Sequence, residues 1–258
     1  MELLGAIGGL SFVLASLVMG LRLLLLARRT RELPEFAIGL ALFLMGGLAY
    51  PLVSVARLAH GMPEGARIGL FVISVVFNAV GTVGVCVFNW RVFRPWEAWA
   101  RWLTLGFACS LAVALTLQVV SSGLSAAALR NEGAGYHVFL GLQGVPIAWA
   151  AFESLRYHRI LQKRVKLGLA DVLVVNRILL WGAGMLAAFV ISLFSTVLAL
   201  LGIDVATTTI GSLVIAPLGL AAAGCVWLAF LPPAAYARRF SRRQAMDGAT
   251  PRETARSL

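Results

Sequence analysis

Seven apolar stretches, each long enough to cross a bilayer, constrain this chain more than any other feature in it. They run over roughly 3–26, 36–58, 68–90, 102–122, 136–157, 173–201 and 208–231. A hydrocarbon core of about 30 Å takes about 20 helical residues to cross, and every stretch reaches that length. Lipid offers no partner for a backbone N–H or C=O, so each stretch is expected as a helix. The expected fold class is all-α, a polytopic seven-transmembrane-helix bundle over residues 1–233. Composition agrees. With 60% hydrophobic and 13% charged residues and a mean hydropathy of +0.89, the chain has too little polar surface for a soluble domain of its length.

The formal net charge of +11 would suit a nucleic-acid binder, but its distribution points elsewhere. The first, third and fifth loops carry Arg28, Arg29 and Arg31, then Arg91, Arg94 and Arg101, then Arg156, Arg159, Lys163, Arg164 and Lys166. The tail adds Arg238, Arg239, Arg242 and Arg243. The alternate loops hold Arg67 and Arg130, offset by Glu64, Glu132 and Asp204. Cytoplasmic loops carry such an excess, so the expected orientation is N-out, C-in, with a basic face toward anionic lipid and no nucleic-acid partner. Arg and Ala dominate over Lys, a bias of high-GC bacterial genomes, and the expected location is a bacterial cytoplasmic (inner) membrane.

The first stretch opens Met1-Glu2, lacks a basic n-region and runs to Leu26 before the arginine cluster, which suits a spanning helix rather than a signal peptide. Gly168 and Asp171 suit a turn and an N-cap for the sixth helix. Pro232-Pro233 should end the seventh. Residues 234–246 then read as an interfacial amphipathic helix and 247–258 as a disordered tail. Gly5, Gly9, Gly46, Gly47, Gly81, Gly84, Gly182, Gly184 and Gly211 are expected where helices approach closely. Cys86, Cys109 and Cys225 all fall inside spans, where small buried packing is their expected role.

Uncharged polar residues form stripes within the spans. Helix 2 carries Tyr50, Ser54 and Arg57; helix 3, Ser74, Asn78, Thr82 and Asn89; helix 4, Ser110, Gln118 and Ser121; helix 5, Gln143. Helix 6 carries Ser192, Ser195 and Thr196, and helix 7 Thr209 and Ser212. Spacings of three, four and seven put most of each set on one helix face, and lipid penalises those groups, so the faces should point into the bundle. On the expected topology most of them lie in the outer half. Two readings follow: an outward-facing polar cavity, or interhelical hydrogen bonds without one. The candidate cavity set is Tyr50, Ser54, Arg57, Ser74, Asn78, Gln118, Gln143, Ser192, Thr196 and Ser212. Arg57 would either snorkel to the interface or meet an anionic group. Glu153 and Arg177 fall at similar depth on consecutive helices and are expected to form an inner ion pair.

Several chemistries lack their residues. Covalent retinal needs a lysine in the seventh helix, and none is there. His60 and His137, at the outer ends of helices 2 and 5, read as solvated rather than as haem or metal ligands; His158 sits among arginines and reads as electrostatic. No Ser/His/Asp, HExxH or paired-carboxylate pattern lies within the spans.

The run Arg164-Val-Lys-Leu-Gly-Leu-Ala-Asp171, continuing through Asn176-Arg177 to Leu180-Trp181, resembles uncharacterised bacterial seven-helix membrane proteins. The layout resembles that of rhodopsins and G-protein-coupled receptors, and Pro233-Ala-Ala-Tyr236 followed by Phe240 is similar to the receptors' PxxY segment. Their preceding Asn is Pro232 here, and Trp90-Arg91-Val92-Phe93-Arg94-Pro95 lacks their acidic-Arg-Tyr triplet. The resemblance is one of layout and implies no activity. The leading expectation is a non-enzymatic membrane sensor or ligand-binding protein. It would bind a small or amphiphilic molecule from outside and meet a cytosolic protein at its basic face. A small-molecule transporter is the alternative, and a membrane lipid-modifying enzyme the third.

Overall fold

The structure is a computed structural model and describes residues 2–59, 61–123, 134–203, 208–233 and 236. His60, the 234–246 segment apart from Tyr236, the 247–258 tail, and the side chain of Ser212 lie outside the described residues. All the described regular structure is helical: α1 (Glu2–Thr30), α2 (Leu33–Leu42), a π-helical segment (Phe43–Ala49), α3 (Tyr50–Leu58), α4 (Glu64–Phe93), α5 (Ala98–Ser122), α6 (Ala134–Lys166), α7 (Val172–Leu200) and α8 (Thr209–Phe230). Seven spans follow, because α2, the π segment and α3 form one continuous crossing. Among the described residues the chain is thus an all-α bundle with seven helices long and apolar enough to cross a membrane.

Most helices outrun their apolar stretches. α6 continues through His158 to Lys166, so much of the expected basic loop is helix, and the turn proper is Leu167 to Ala170. Past the hydrocarbon region, arginines and lysines can hydrate without leaving the helix. Gly168 takes the left-handed conformation of that turn (φ 70°), and the Asp171 carboxylate accepts from the Leu173 N–H at 2.8 Å, capping α7 as expected.

Neighbouring spans pack in a closed ring in which α8 returns against α1. α4 touches both α5 and α6, leaving α5 as an outlying helix against that pair. This placement corrects three sequence expectations: Cys109, Ser110 and Ser121 on α5 are exposed rather than buried in the bundle. Cys86 is buried, and Cys225 is half-buried.

Pro51 explains the irregular second span. Its missing N–H and its ring disrupt the turn ending at the Gly47 carbonyl. One residue upstream, the Tyr50 N–H bonds to the Met45 carbonyl, an i→i−5 step. The widened turn carries Gly46 and Gly47 against α1, where an added Cβ would come within 2.2 Å of Ser16 and 2.6 Å of Leu17. Close approach there excludes any side chain larger than hydrogen.

We call the end holding the loops after α1, α4 and α6 the basic end. The main core lies toward it. Met19, Leu23, Ile38, Ala41, Val85, Trp181, Val226 and Ala229 converge there from five helices. Trp181 packs edge-on to Phe88 and Phe230, with ring centroids 5.6 and 5.3 Å away. Toward the opposite end, residues 8–15 of α1, 185–200 of α7 and 213–225 of α8 include no buried residue, whereas α4, α5 and α6 stay packed through Ala79, Leu111, Ala114 and Phe139.

Candidate functional site

Polar groups cluster at the basic end and bond between helices. Glu153 on α6 does not pair with Arg177. It forms a two-point ion pair with Arg94, just past α4: Nε to Oε1 at 2.8 Å and Nη2 to Oε2 at 3.3 Å. Side-chain exposures of 7% for Glu153 and 20% for Arg94 make this a pair held largely out of water. Its hydrogen bond to Glu153 raises the Arg94 guanidinium above its ordinary value, so the cation persists at any ordinary pH. The expectation failed because it paired consecutive helices, while α4 packs directly on α6 across the bundle. Arg177 donates instead to the Ala229 carbonyl near the end of α8, at 2.5 Å, tying α7 to α8.

Three further contacts complete this layer. Asn89, fully buried, donates through Nδ2 to the Pro146 carbonyl on α6 at 2.8 Å. His158 Nδ1 lies 3.1 Å from the Val175 carbonyl on α7, which requires the Nδ1-protonated tautomer. His158 is therefore a helix–helix tie, not merely an electrostatic residue. Asn176 donates to the Tyr236 hydroxyl, which reaches back from beyond α8. Around the ion pair, Arg94 stands over the Trp99 ring at 5.8 Å, and Trp99 packs on Trp149. The Asn89 Oδ1 and Trp149 Nε1 atoms, each within one turn or one hydrogen bond of Pro146, are buried with no partner among the described residues.

The polar residues expected to line a cavity behave differently. Ser54 donates to the Tyr50 carbonyl at 2.8 Å, Ser74 to Phe71 at 2.7 Å and Thr196 to Ser192 at 2.8 Å. The Thr82 hydroxyl stands 2.7 Å from the Asn78 carbonyl and 3.2 Å from its Oδ1. Each satisfies itself within its own helix, at the i−3 or i−4 carbonyl. Tyr50 is 44% exposed and packs across Gly9 and edge-on to Phe12, so it sits at the rim of the α1–α3 contact rather than facing the interior. Asn78, Gln143, Ser192, Thr196 and Arg57 are half-buried. The Arg57 carbonyl accepts from Arg67 Nη2 at 3.4 Å while Arg67 Nε donates to Ala56, so Arg67 closes the end of α3. His137 touches the Ala199 carbonyl through Nε2 at 3.2 Å, linking α6 to α7.

Gln118 stands apart. Its Oε1 and Nε2 are both buried with no partner among the described residues. The close contact of α6 on α5 encloses it: a Cβ at Gly135 would come within 2.4 Å of the Gln118 nitrogen. A buried amide ordinarily finds partners, so this side chain has unused hydrogen-bonding capacity.

Two shallow, open surface clefts lie away from the expected cavity set. One, about 470 Å³, is lined by Leu24, Ala27, Arg28, Arg31, Glu32, Leu33 and Phe36; the other, about 370 Å³, by Phe152, Leu155, Arg156 and Arg159. Among the described residues no three His, Cys, Asp or Glu side chains converge as metal ligands. No family model, curated protein or solved structure matches the chain.

Proposed function

We propose that the chain is a non-enzymatic seven-helix sensor or ligand-binding protein, oriented N-out and C-in in a bacterial cytoplasmic membrane. The carrying observation is the contrast in packing along the bundle. The basic end is closed by a five-helix core and by bonds between helices. Toward the opposite end α1, α7 and α8 bury no residue over 8–15, 185–200 and 213–225. Ligands of membrane bundles bind between helices, in spaces with a few convergent polar groups. Ser192 and Thr196, with Ser212 by position on α8, supply such groups on the loosely packed helices, and Asn78, Gln118 and Gln143 supply them on the packed helices α4, α5 and α6 at the same end. A small or amphiphilic molecule entering from outside would offer Gln118 the partners it lacks. Arg91, Arg101, Arg156 and Arg159, all exposed at the other end, suit an acidic cytosolic partner.

The test is a thermal-shift screen of the full chain in nanodiscs against small amphiphilic compounds. A stabilising compound should lose its effect in Gln143→Leu and Gln118→Leu, and keep it in Arg101→Gln. Stabilisers indifferent to both glutamine changes would contradict an outer binding site. Transport is separated by cysteines at Ala150 and Leu180, in a chain lacking Cys86, Cys109 and Cys225. A sensor keeps them protected from the cytoplasm when the stabilising compound is added, whereas compound-dependent labelling would move the assignment to a transporter. Orientation is read by fusions: a reporter active only in the cytoplasm should work after Leu258 and at 167–170, and stay silent at 124–132.

A further inference from the structure

The larger cleft lies between the end of α1 and the start of α2, and its walls divide by chemistry. Leu24 and Ala27 on α1 face Leu33 and Phe36 on α2, while Arg28, Arg31 and Glu32 complete its lining. Arg31 reverses the chain in the left-handed conformation (φ 59°), the one described non-glycine residue to do so. That turn lets α1 and α2 meet after two intervening residues and sets Arg31 beside Arg28 in the same cleft. Glu35, the other nearby carboxylate, is engaged by the Thr30 hydroxyl at 2.5 Å. Glu32 is therefore the single acid lining the cleft, against two arginines.

Position decides what such a cleft would hold. Arg28 and Arg31 come at the end of the Gly8–Thr30 span, whose length would bring them to the headgroups of a bilayer with a core of about 30 Å, and Leu33 and Phe36 beside them are exposed. A soluble anion gains nothing from apolar walls, whereas a phospholipid uses both halves. The second cleft repeats the pattern at the same end, with Phe152 and Leu155 beside Arg156 and Arg159. We infer that the α1–α2 cleft is a binding site for an anionic phospholipid, with Arg28 and Arg31 on its phosphate and Leu24, Leu33 and Phe36 against its glycerol and upper acyl carbons. Arginine forks suit phosphate oxygens, and basic residues at a membrane surface favour anionic lipid. The inference rests on the span assignment and not on the sensor reading.

The test uses the full chain in phosphatidylcholine vesicles doped with photoreactive phosphatidylglycerol, with cross-linked peptides mapped by mass spectrometry. The strongest cross-links should fall within residues 24–36. They should weaken roughly fivefold for each arginine removed in Arg28→Gln and Arg31→Gln. Arg28→Lys/Arg31→Lys should retain most of the signal, and Arg101→Gln, at the same end but outside the cleft, should leave it unchanged. Competition on the unaltered protein needs no variant: unlabelled phosphatidylglycerol should displace the probe, and added phosphatidylcholine should not. Even labelling of all apolar faces, or labelling indifferent to the glutamine changes, would overturn the site. Displacement by millimolar inorganic phosphate would overturn it too, in favour of a free anion.

Discussion

At the basic end polar side chains reach across to other helices, Arg94 to Glu153, Asn89 to Pro146, Arg177 to Ala229 and His158 to Val175. At the opposite end Ser54, Ser74 and Thr196 turn back onto carbonyls of their own helices. A bond between helices is lost when they separate, and a bond within one helix travels with it. The opposite end is tied more sparsely, by His137 to Ala199 between α6 and α7 and by Arg67 to the end of α3. Its helices can therefore change spacing at a smaller hydrogen-bonding cost than those of the basic end. The apolar packing divides by helix as well as by end: the five-helix core lies at the basic end, while at the opposite end α4, α5 and α6 stay packed and α1, α7 and α8 do not. The sensor proposed above rests on this difference between the two ends.

The largest expected effect is at the ion pair. Glu153→Leu alone strands the Arg94 cation and should cost about 3–5 kcal/mol of stability. Glu153→Leu with Arg94→Leu should recover part of that loss, with a coupling of about 0.5–3 kcal/mol in a double-mutant cycle followed by denaturant in mixed micelles. The matching cycle between Glu153 and Arg177 should be additive. Strong coupling there would mean that the basic end is wired differently. Asn89→Ala comes next. It removes one buried bond to a carbonyl that keeps its helical partner, and thermal unfolding should report about 1 kcal/mol. Smallest are Ser54→Ala and Thr196→Ala, expected within about 0.5 kcal/mol of the parent. A loss there as large as at Asn89 would erase the distinction between the halves.

The crossing helices and the clustering of cations at loop ends were legible because hydropathy and charge are local properties of a chain. The Asp171 cap and the Gly168 turn were legible for the same reason. Partner choice was not. Arg94 was counted as a loop cation, and nothing local to Glu153 indicates that α4, rather than α7, supplies its partner. The spacing of Tyr50, Ser54 and Arg57 places them near one another on α3 but does not say what that face meets, and Tyr50 proves to sit 44% exposed at the rim against Gly9 and Phe12 of α1. The outward placement of Cys109, Ser110 and Ser121 follows from α5 lying outside the ring, a matter of tertiary arrangement. Gln118 was picked out by residue type and by its place in the helix 4 stripe, and its unpartnered amide emerges only once α6 is packed against it.

Solvent access at the two ends tests the central contrast most directly. Single cysteines at Asn78, Gln118, Gln143 and Thr196, and at Ala150 and Leu180, would be introduced into a chain lacking its three native cysteines. Each would be exposed in sealed vesicles of known orientation to a membrane-impermeant thiol reagent, applied from either side. The account predicts reaction at the first four positions from the side opposite the basic end, and protection of Ala150 and Leu180 from both sides. Uniform protection of the first four, or reaction at Ala150 and Leu180 in the resting protein, would contradict it.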